Sequence, residues 1–420
     1  MYTPLPPIQM SAATKKRALA VIFFIMLMDI IGLTILLPVA PFIVARYNSD
    51  ALTITLLTGI YAAAQFFAAP ALGNIGDRVG RRPVLILSVL GSAVGYFIFG
   101  FGGALWVLFV SRLIDGITAG NLSTASAYIA DVSTPQERPK NFALIGIAFG
   151  LGFILGPALS AAASLISVDA PAFVAGGLAL ISVVVMYFIL PESLPVERRE
   201  HAPLSFSSFN PLVAIGEIAR KPGMPLLILI SCVFAFAFNG TNTVFSKYLG
   251  DKFLVDATQI AIALVVGGVI TAIVQGLFVE KLVKRFGEKV MTIVSLLSLA
   301  LGFLIIFAAP AFWWVYPTSL LRNGLGGFFW ATMGAMTAGK VLPQEQGKLA
   351  GVNTALQSLM AVFGPVAAGV AYDAISPGAP FWLGAILFAL AAILTLGIRS
   401  IRGAQPQQHG PEAVSIGGHA

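Results

Sequence analysis

The chain has 420 residues, of which 58% are hydrophobic and only 10% charged, with a mean hydropathy of +0.91 and a formal net charge of +7. So much apolar side chain exceeds what a water-soluble core of this length can hide, which places the chain in a bilayer. A single cysteine, Cys232, excludes an intrachain disulfide or a cysteine metal cluster, and the three histidines, His201, His409 and His419, fall in polar segments and leave no histidine metal site in the membrane.

In chain order, apolar runs long enough to cross ~30 Å of hydrocarbon as helix fall near 18–45, 52–75, 83–101, 104–128, 140–163, 171–190, 224–247, 259–280, 290–309, 312–338, 349–371 and 379–398. The runs are continuously apolar instead of alternating, and they exceed the ~10-residue strands of an outer-membrane barrel. The expected fold is therefore an all-α polytopic membrane protein with twelve transmembrane helices. Lys15, Lys16 and Arg17 precede the first run, yet its length and the central Asp29 mark a retained span instead of a cleaved signal. A polar segment after the sixth run gives the expected organisation: a tail at 1–17, a half at 18–190, a linker at 191–223, a second half at 224–398 and a tail at 399–420.

With the amino terminus in the cytoplasm, 20 of the 25 Lys and Arg lie on that side; Arg46, Lys247 and Lys252 fall outside, and Arg112 and Arg322 lie within spans. This asymmetry predicts that both termini are cytoplasmic. It also accounts for the net charge without a nucleic-acid partner. The loop after the second span, GNIGDRVGRRP at 73–83, carries Gly73, Gly76, Asp77, Arg78, Gly80, Arg81 and Arg82. Orientation explains its arginines but not Asp77. That acid suits the positive end of a helix starting on the same face, such as the eleventh span, or the neighbouring Arg81, while Gly76 and Gly80 permit tight turning.

Three patterns repeat at nearly one offset. RLIDG at 112–116 and RNGLG at 322–326 are 210 apart, GP at 156–157 and 364–365 are 208 apart, and GDRVGRR at 76–82 and VKRFGEK at 283–289 are 207 apart. Two six-helix halves in parallel repeat around a midplane site describe a secondary transporter. The same 210-residue offset carries Asp29 onto Asn239, so the second half keeps the arginine and replaces the acid by an amide.

GNIGDRVGRRP resembles the loop signature of the major facilitator superfamily, and RLIDG its arginine motif in the fourth helix. The run containing Gly146, Gly150, Gly152, Gly156 and Pro157 resembles the glycine-rich antiporter motif of its drug and proton exporters. MDIIGLTILLPVAP in the first span, YIADVS after the fourth and FNPL in the linker are most similar to the tetracycline/proton antiporters. The chain departs from them at Gly95, where they carry an acid, in an acid-free ninth span, and at Ser160–Ala161, where they carry paired glycines. The resemblance implies a central cavity lined by spans one, four, seven and ten, a gating latch at the 73–83 loop made in the outward-open state, tight packing of the antiporter motif between the halves, and a monomer.

A charge near the bilayer centre costs at least ~2.5–3.5 kcal/mol. Counting ~1.5 Å of rise per residue, Asp29, Arg112, Asp115 and Arg322 all lie roughly 13–17 Å from a membrane surface. Arg112 and Asp115 share a helical face. They and Asp29 form the candidate proton-coupling set, in which moving Arg112 relative to an aspartate loads or releases a proton; the alternative is a static pair that neutralises two helices. Arg322, Asn239, Gln65 and Gln275 form the candidate substrate-binding set, Arg322 either pairing with Asp29 across the cavity or gripping an anionic group. The expected function is proton-coupled efflux of amphipathic or drug-like molecules, with a carrier of organic anions as the alternative. The sequence calls for no cofactor, contains no nucleotide-binding loop and shows no catalytic constellation, so an enzyme is not expected.

Overall fold

The computed structural model describes residues 11–48, 50–134, 136–199, 211–341 and 345–398; the outer tails and the middle of the linker, with all three histidines, lie outside them. Hydrocarbon offers the backbone no partners, so each apolar run closes its own hydrogen bonds as helix, and the described residues contain no strand. The first half comprises α1 (Ala12–Ile35), the short α2 (Ala40–Val44), α3 (Ala51–Val79), α4 (Arg81–Phe101), α5 (Leu105–Thr118), α6 (Asn121–Val132), α7 (Arg138–Ser164) and α8 (Ala170–Ile189). After α9 (Pro211–Ala219) in the linker come α10 (Met224–Phe253), α11 (Ala257–Leu277), α12 (Val279–Phe286), α13 (Glu288–Ala308), α14 (Val315–Ser319), α15 (Phe328–Ala338), α16 (Gln346–Ala374) and α17 (Ala379–Leu396). We call the face where α1 begins basal and the opposite face distal.

With α5 and α6 taken as one, eleven helices among the described residues are long and apolar enough to span a membrane, one fewer than expected. The expected tenth span at 312–338 is the exception. It is interrupted by a π-helical turn, Leu320–Leu325, between α14 and α15. Gly326 N–H reaches back five residues to the Leu321 carbonyl at 2.9 Å. Gly324, Gly326 and Gly327 weaken regular helix here, and a Cβ on Gly326 would lie 2.1 Å from the Arg322 carbonyl oxygen.

Buried side chains gather into two main cores, one almost wholly from the first half and one almost wholly from the second. The repeat extends further than the sequence patterns suggest. Lys15, at the start of α1, pairs with Glu137 at the cap of α7, and Lys221, just before α10, pairs with Glu345 at the cap of α16. Lys15 and Thr134 together hold the Glu137 carboxyl down at about 2.

The halves meet through α3 against α16 and α7 against α11, and they meet unequally at the two faces. Toward the distal face, a Cβ on Gly369 of α16 would lie 2.8 Å from the Leu52 Cα, and one on Gly268 of α11 2.9 Å from the Phe153 carbonyl oxygen. Asp373 Oδ1 and Oδ2 accept the backbone N–H groups of Ala51 and Leu52, at 3.0 and 2.7 Å, capping the first turn of α3. Toward the basal face, Gly73 of α3, Gly146 and Gly150 of α7, Gly276 of α11 and Gly351 of α16 have no atom within 4 Å of an added Cβ. The molecule is closed distally and open basally.

Asp373→Ala removes both acceptors from the closed end. Spin labels at the distal ends of α3 and α16 are expected to show a longer and broader distance distribution, with Asp373→Asn intermediate; an unchanged distribution in both variants would assign the closure to glycine packing alone.

Candidate functional site

Asp29, in the distal half of α1, faces a cavity of about 200 Å³ also lined by Tyr61 and Gln65 of α3, Ser92 and Tyr96 of α4, Asp115 of α5 and Asn121 of α6. The site exists because the fourth apolar run does not stay helical: α5 stops at Thr118, Ala119 leaves helical geometry, and α6 restarts at Asn121. Gln65 Nε2 donates to the freed Ala119 carbonyl at 3.3 Å. Asn121 Nδ2 donates to Asp29 Oδ1 at 2.7 Å.

Asp115 is 3% exposed and pairs with Arg112 at 3.2 Å. The Arg112 guanidinium carbon lies 4.7 Å from the centre of the Phe99 ring and 5.6 Å from that of Tyr96. Two of the three expected proton-coupling residues are thus an ion pair. Asp29 and Asp115 share the cavity wall, but the fixed partner of Asp29 is Asn121, a residue that the sequence patterns did not single out. A bond between residues 92 apart on different helices leaves no periodic trace.

The second-half candidates do not gather around this cavity. Arg322 is 6% exposed within the π-turn, its guanidinium carbon 3.9 Å from the Phe245 ring centre and 5.3 Å from that of Phe303. It makes no ion pair among the described residues, and Asp29 is not its partner. Asn239 donates to the Ala235 carbonyl of its own helix at 2.8 Å, and Gln275 packs where a Cβ on Gly327 would meet it at 2.0 Å. Of the expected substrate-binding set, only Gln65 reaches the cavity. The second half instead holds an aromatic cluster: the buried Phe234 stacks on the buried Phe329 with centres 3.6 Å apart, the half-exposed Trp330 meets Phe234 edge-on at 5.1 Å, and Trp330, Met333 and Gln357 line a cavity of about 90 Å³.

In the antiporter-type run, Gly152 and Gly156 pack against α1, where added Cβ atoms would come within 2.5 Å of Ile30 Cγ2 and 1.9 Å of Thr34 Oγ1. Thr34 also donates to the Gly152 carbonyl at 2.9 Å. These two glycines pack within the first half, while the same run meets the other half through Phe153 and Ile154, against which Gly268 of α11 is closely set. Pro157 sits inside α7.

In the 73–83 loop, Asp77 pairs with Arg81, which also meets Asp131 at 3.2 Å. Gly80, at φ 107°, turns the chain so that Glu192 accepts the N–H groups of Arg81 and Arg82 at 2.9 and 3.2 Å. Arg82 donates to the Tyr187 carbonyl. Every one of these partners belongs to the first half or the start of the linker, so among the described residues Asp77 makes its ion pair within the first half and not with α16. Asp131 and Glu192 were the unrecognised anchors.

The model of the Major Facilitator Superfamily matches residues 22–321 and 227–415. The class C tetracycline resistance protein of Escherichia coli is 30% identical over 391 residues, covering 92% of this chain and 97% of that protein. Multidrug resistance protein 2 of Bacillus subtilis (strain 168) is 30% identical over 366 residues, covering 84% and 89%. The crystal structure of the human organic anion transporter MFSD10 (TETRAN) matches with a TM-score of 0.68 and 26% identity, covering 91% of this chain and 99% of that one.

Breaking a buried ion pair by removing one partner costs about 3–5 kcal/mol, whereas replacing both by apolar groups is often neutral. Arg112→Met is therefore expected to lower thermal stability in detergent, and Arg112→Met with Asp115→Leu to recover most of the loss. A double variant as unstable as the single one would show that the rings of Phe99 and Tyr96, not the charge of Asp115, hold Arg112 in place.

Proposed function

The chain belongs to the major facilitator superfamily, a transporter and not an enzyme, and from that premise we propose that it is a proton-coupled exporter of amphipathic or drug-like molecules, working by alternating access in the cell membrane. The carrying observation is a carboxylate, Asp29, on a cavity wall within a membrane-length helix, with a second acid, Asp115, on the same wall and an amide as its one fixed partner among the described residues. A charge held at midplane without a counter-ion is costly unless it serves transport. The tetracycline and multidrug resistance proteins at 30% identity support an efflux substrate, and the half-exposed Trp330, with Met333 on the second-half cavity, offers an apolar surface for one.

In this reading the broken tenth run completes a set of twelve spans, the basic basal face is cytoplasmic by the positive-inside rule, and the protein works as a monomer. The bodies that rock are the halves at 18–190 and 224–398. The form described above is then inward-open, with Asp77 turned onto Arg81 and released from the latch to α16 that it makes in the outward-open form. Protons enter as the co-substrate. If Asp29 carries the coupled proton, Asp29→Asn is expected to abolish uphill, gradient-driven transport in proteoliposomes while downhill exchange persists; full accumulation by this variant would remove Asp29 from the mechanism.

A second reading, a carrier of organic anions, draws on two observations: a buried Arg322 with no ion-pair partner among the described residues, and the printed function of the human relative, an organic anion transporter. A guanidinium offers five donors and a charge that does not titrate away. With an anion and a cation matched in size and apolarity, Arg322→Ala should weaken binding of the anion alone in an anion carrier. In a cation exporter it should leave cation binding intact, and equal weakening of both would mean that Arg322 serves structure.

A further inference from the structure

Asn121 is 6% exposed and stands at the first residue of α6, where the break after α5 delivers it to Asp29. Its carboxamide has two ends, and only one is used. Nδ2 contacts Asp29 Oδ1 at 2.7 Å, while Oδ1 is buried without a hydrogen-bond partner among the described residues. A buried amide that serves only as scaffold has both ends matched, because an unmade bond in the interior costs the full desolvation of the group. One idle end means that nothing else fixes the rotation of this amide.

The chemistry of the pair gives that freedom a use. An ionised carboxylate only accepts, so it needs an amide N–H; a protonated carboxyl donates one O–H, so it needs an amide oxygen. The remaining neighbours cannot follow a proton in this way. Arg112 and Asp115 of α5 are paired to one another, Tyr61 on α3 and Tyr96 on α4 line the same cavity while the hydrogen bond to Asp29 comes from Asn121, the Gln65 amide is engaged by the Ala119 carbonyl, and α7 contributes the ring of Phe149.

We propose that Asn121 is the positioning residue of the proton site: its amide turns with Asp29, donating Nδ2 to the ionised acid and accepting the acid proton at Oδ1 when Asp29 is protonated. The proposal rests on the reading of Asp29 as the proton carrier. The proton comes from water in the basal opening and returns to water, and only the Asp29 O–H bond forms and breaks. Both loading states then find a matched partner in a site with little water, so neither is trapped.

Infrared difference spectra of the full-length protein in vesicles, taken between acidic and alkaline buffer, test this without any transported substrate. The carboxylic C=O band lost in Asp29→Asn is the Asp29 signal. In Asn121→Leu that band is expected to shift to higher frequency, as a carboxyl without a hydrogen-bond acceptor does. In Asn121→Thr, whose hydroxyl both donates and accepts, it should stay near its wild-type position, and Asn121→Ala should reproduce the shift if the leucine variant does not fold. A band that Asp29→Asn removes but that neither Leu nor Ala at 121 moves would overturn the role of Asn121 and leave the proton reading standing. If Asp29→Asn removes no band, Asp29 takes no proton and both fall together.

Discussion

Hydrocarbon supplies no partner for a stray polar group, and that scarcity explains where this chain gives up regular helix. Two of the interruptions inside its apolar runs, the break between α5 and α6 and the π-turn at Leu320–Leu325, each lie beside an intramembrane charge. At the break, Gln65 takes the freed Ala119 carbonyl and the start of α6 turns Asn121 to Asp29. At the π-turn, Arg322 lies against the faces of Phe245 and Phe303. An arginine at mid-bilayer costs about 2.5–3.5 kcal/mol on insertion scales, and a desolvated cation–π contact returns about 2 kcal/mol. Two rings therefore offset most of the cost, and Arg322 is tolerated without an acid.

The halves are built on one plan and chemically divided. The offset of about 207 residues places Tyr96 on Phe303 and Gly95 on Gly302, and 210 residues place Asp115 on Leu325. Both glycines exist to admit the arginine-bearing helix: a Cβ on Gly95 would lie 3.1 Å from the Asp115 Cβ, and one on Gly302 2.6 Å from the Arg322 Cγ. This gives a physical sense to the missing acid at Gly95. With α5 packed so close to α4, a larger side chain at 95 has no room, and the carboxylate enters the same region from Asp115 instead. The first half thus holds the groups that can titrate, and the second holds rings and amides.

Spans, repeat and the Arg112–Asp115 pair were legible because each leaves a local trace: apolar runs of helical length, motifs at a common offset, and charges three residues apart on one face. Asn121 was not, since it reads as one polar residue in a small-residue stretch, NLSTASA, until the fold sets it against α1. The matched pairs Lys15–Glu137 and Lys221–Glu345 escaped for the opposite reason. They repeat 206 and 208 residues apart, but single charges in loops are too common to stand out. Arg322 was legible as unusual and illegible as to company, because aromatic faces several helices away carry no charge signal.

The long helices α3 and α16, 29 residues each, run antiparallel along the seam between the halves, and each carries an acid near its last turn. Asp373, one residue before the end of α16, caps the start of α3 with two bonds at the closed face. Asp77, two residues before the end of α3, is turned onto Arg81 at the open face. Asp373 is an exposed carboxylate on a helix N-terminus, so opening the distal end sacrifices about 0.5–2 kcal/mol before any gain elsewhere. A single carboxylate at a helix terminus returns at most about 2 kcal/mol. The two caps are of one kind and of similar size, so exchanging one for the other costs little on these contacts alone. A balance this close is readily tipped by ligands of unequal affinity for the two states, so in the proposed cycle occupancy of the Asp29 cavity by a proton, and of the second-half cavity by substrate, sets which form prevails.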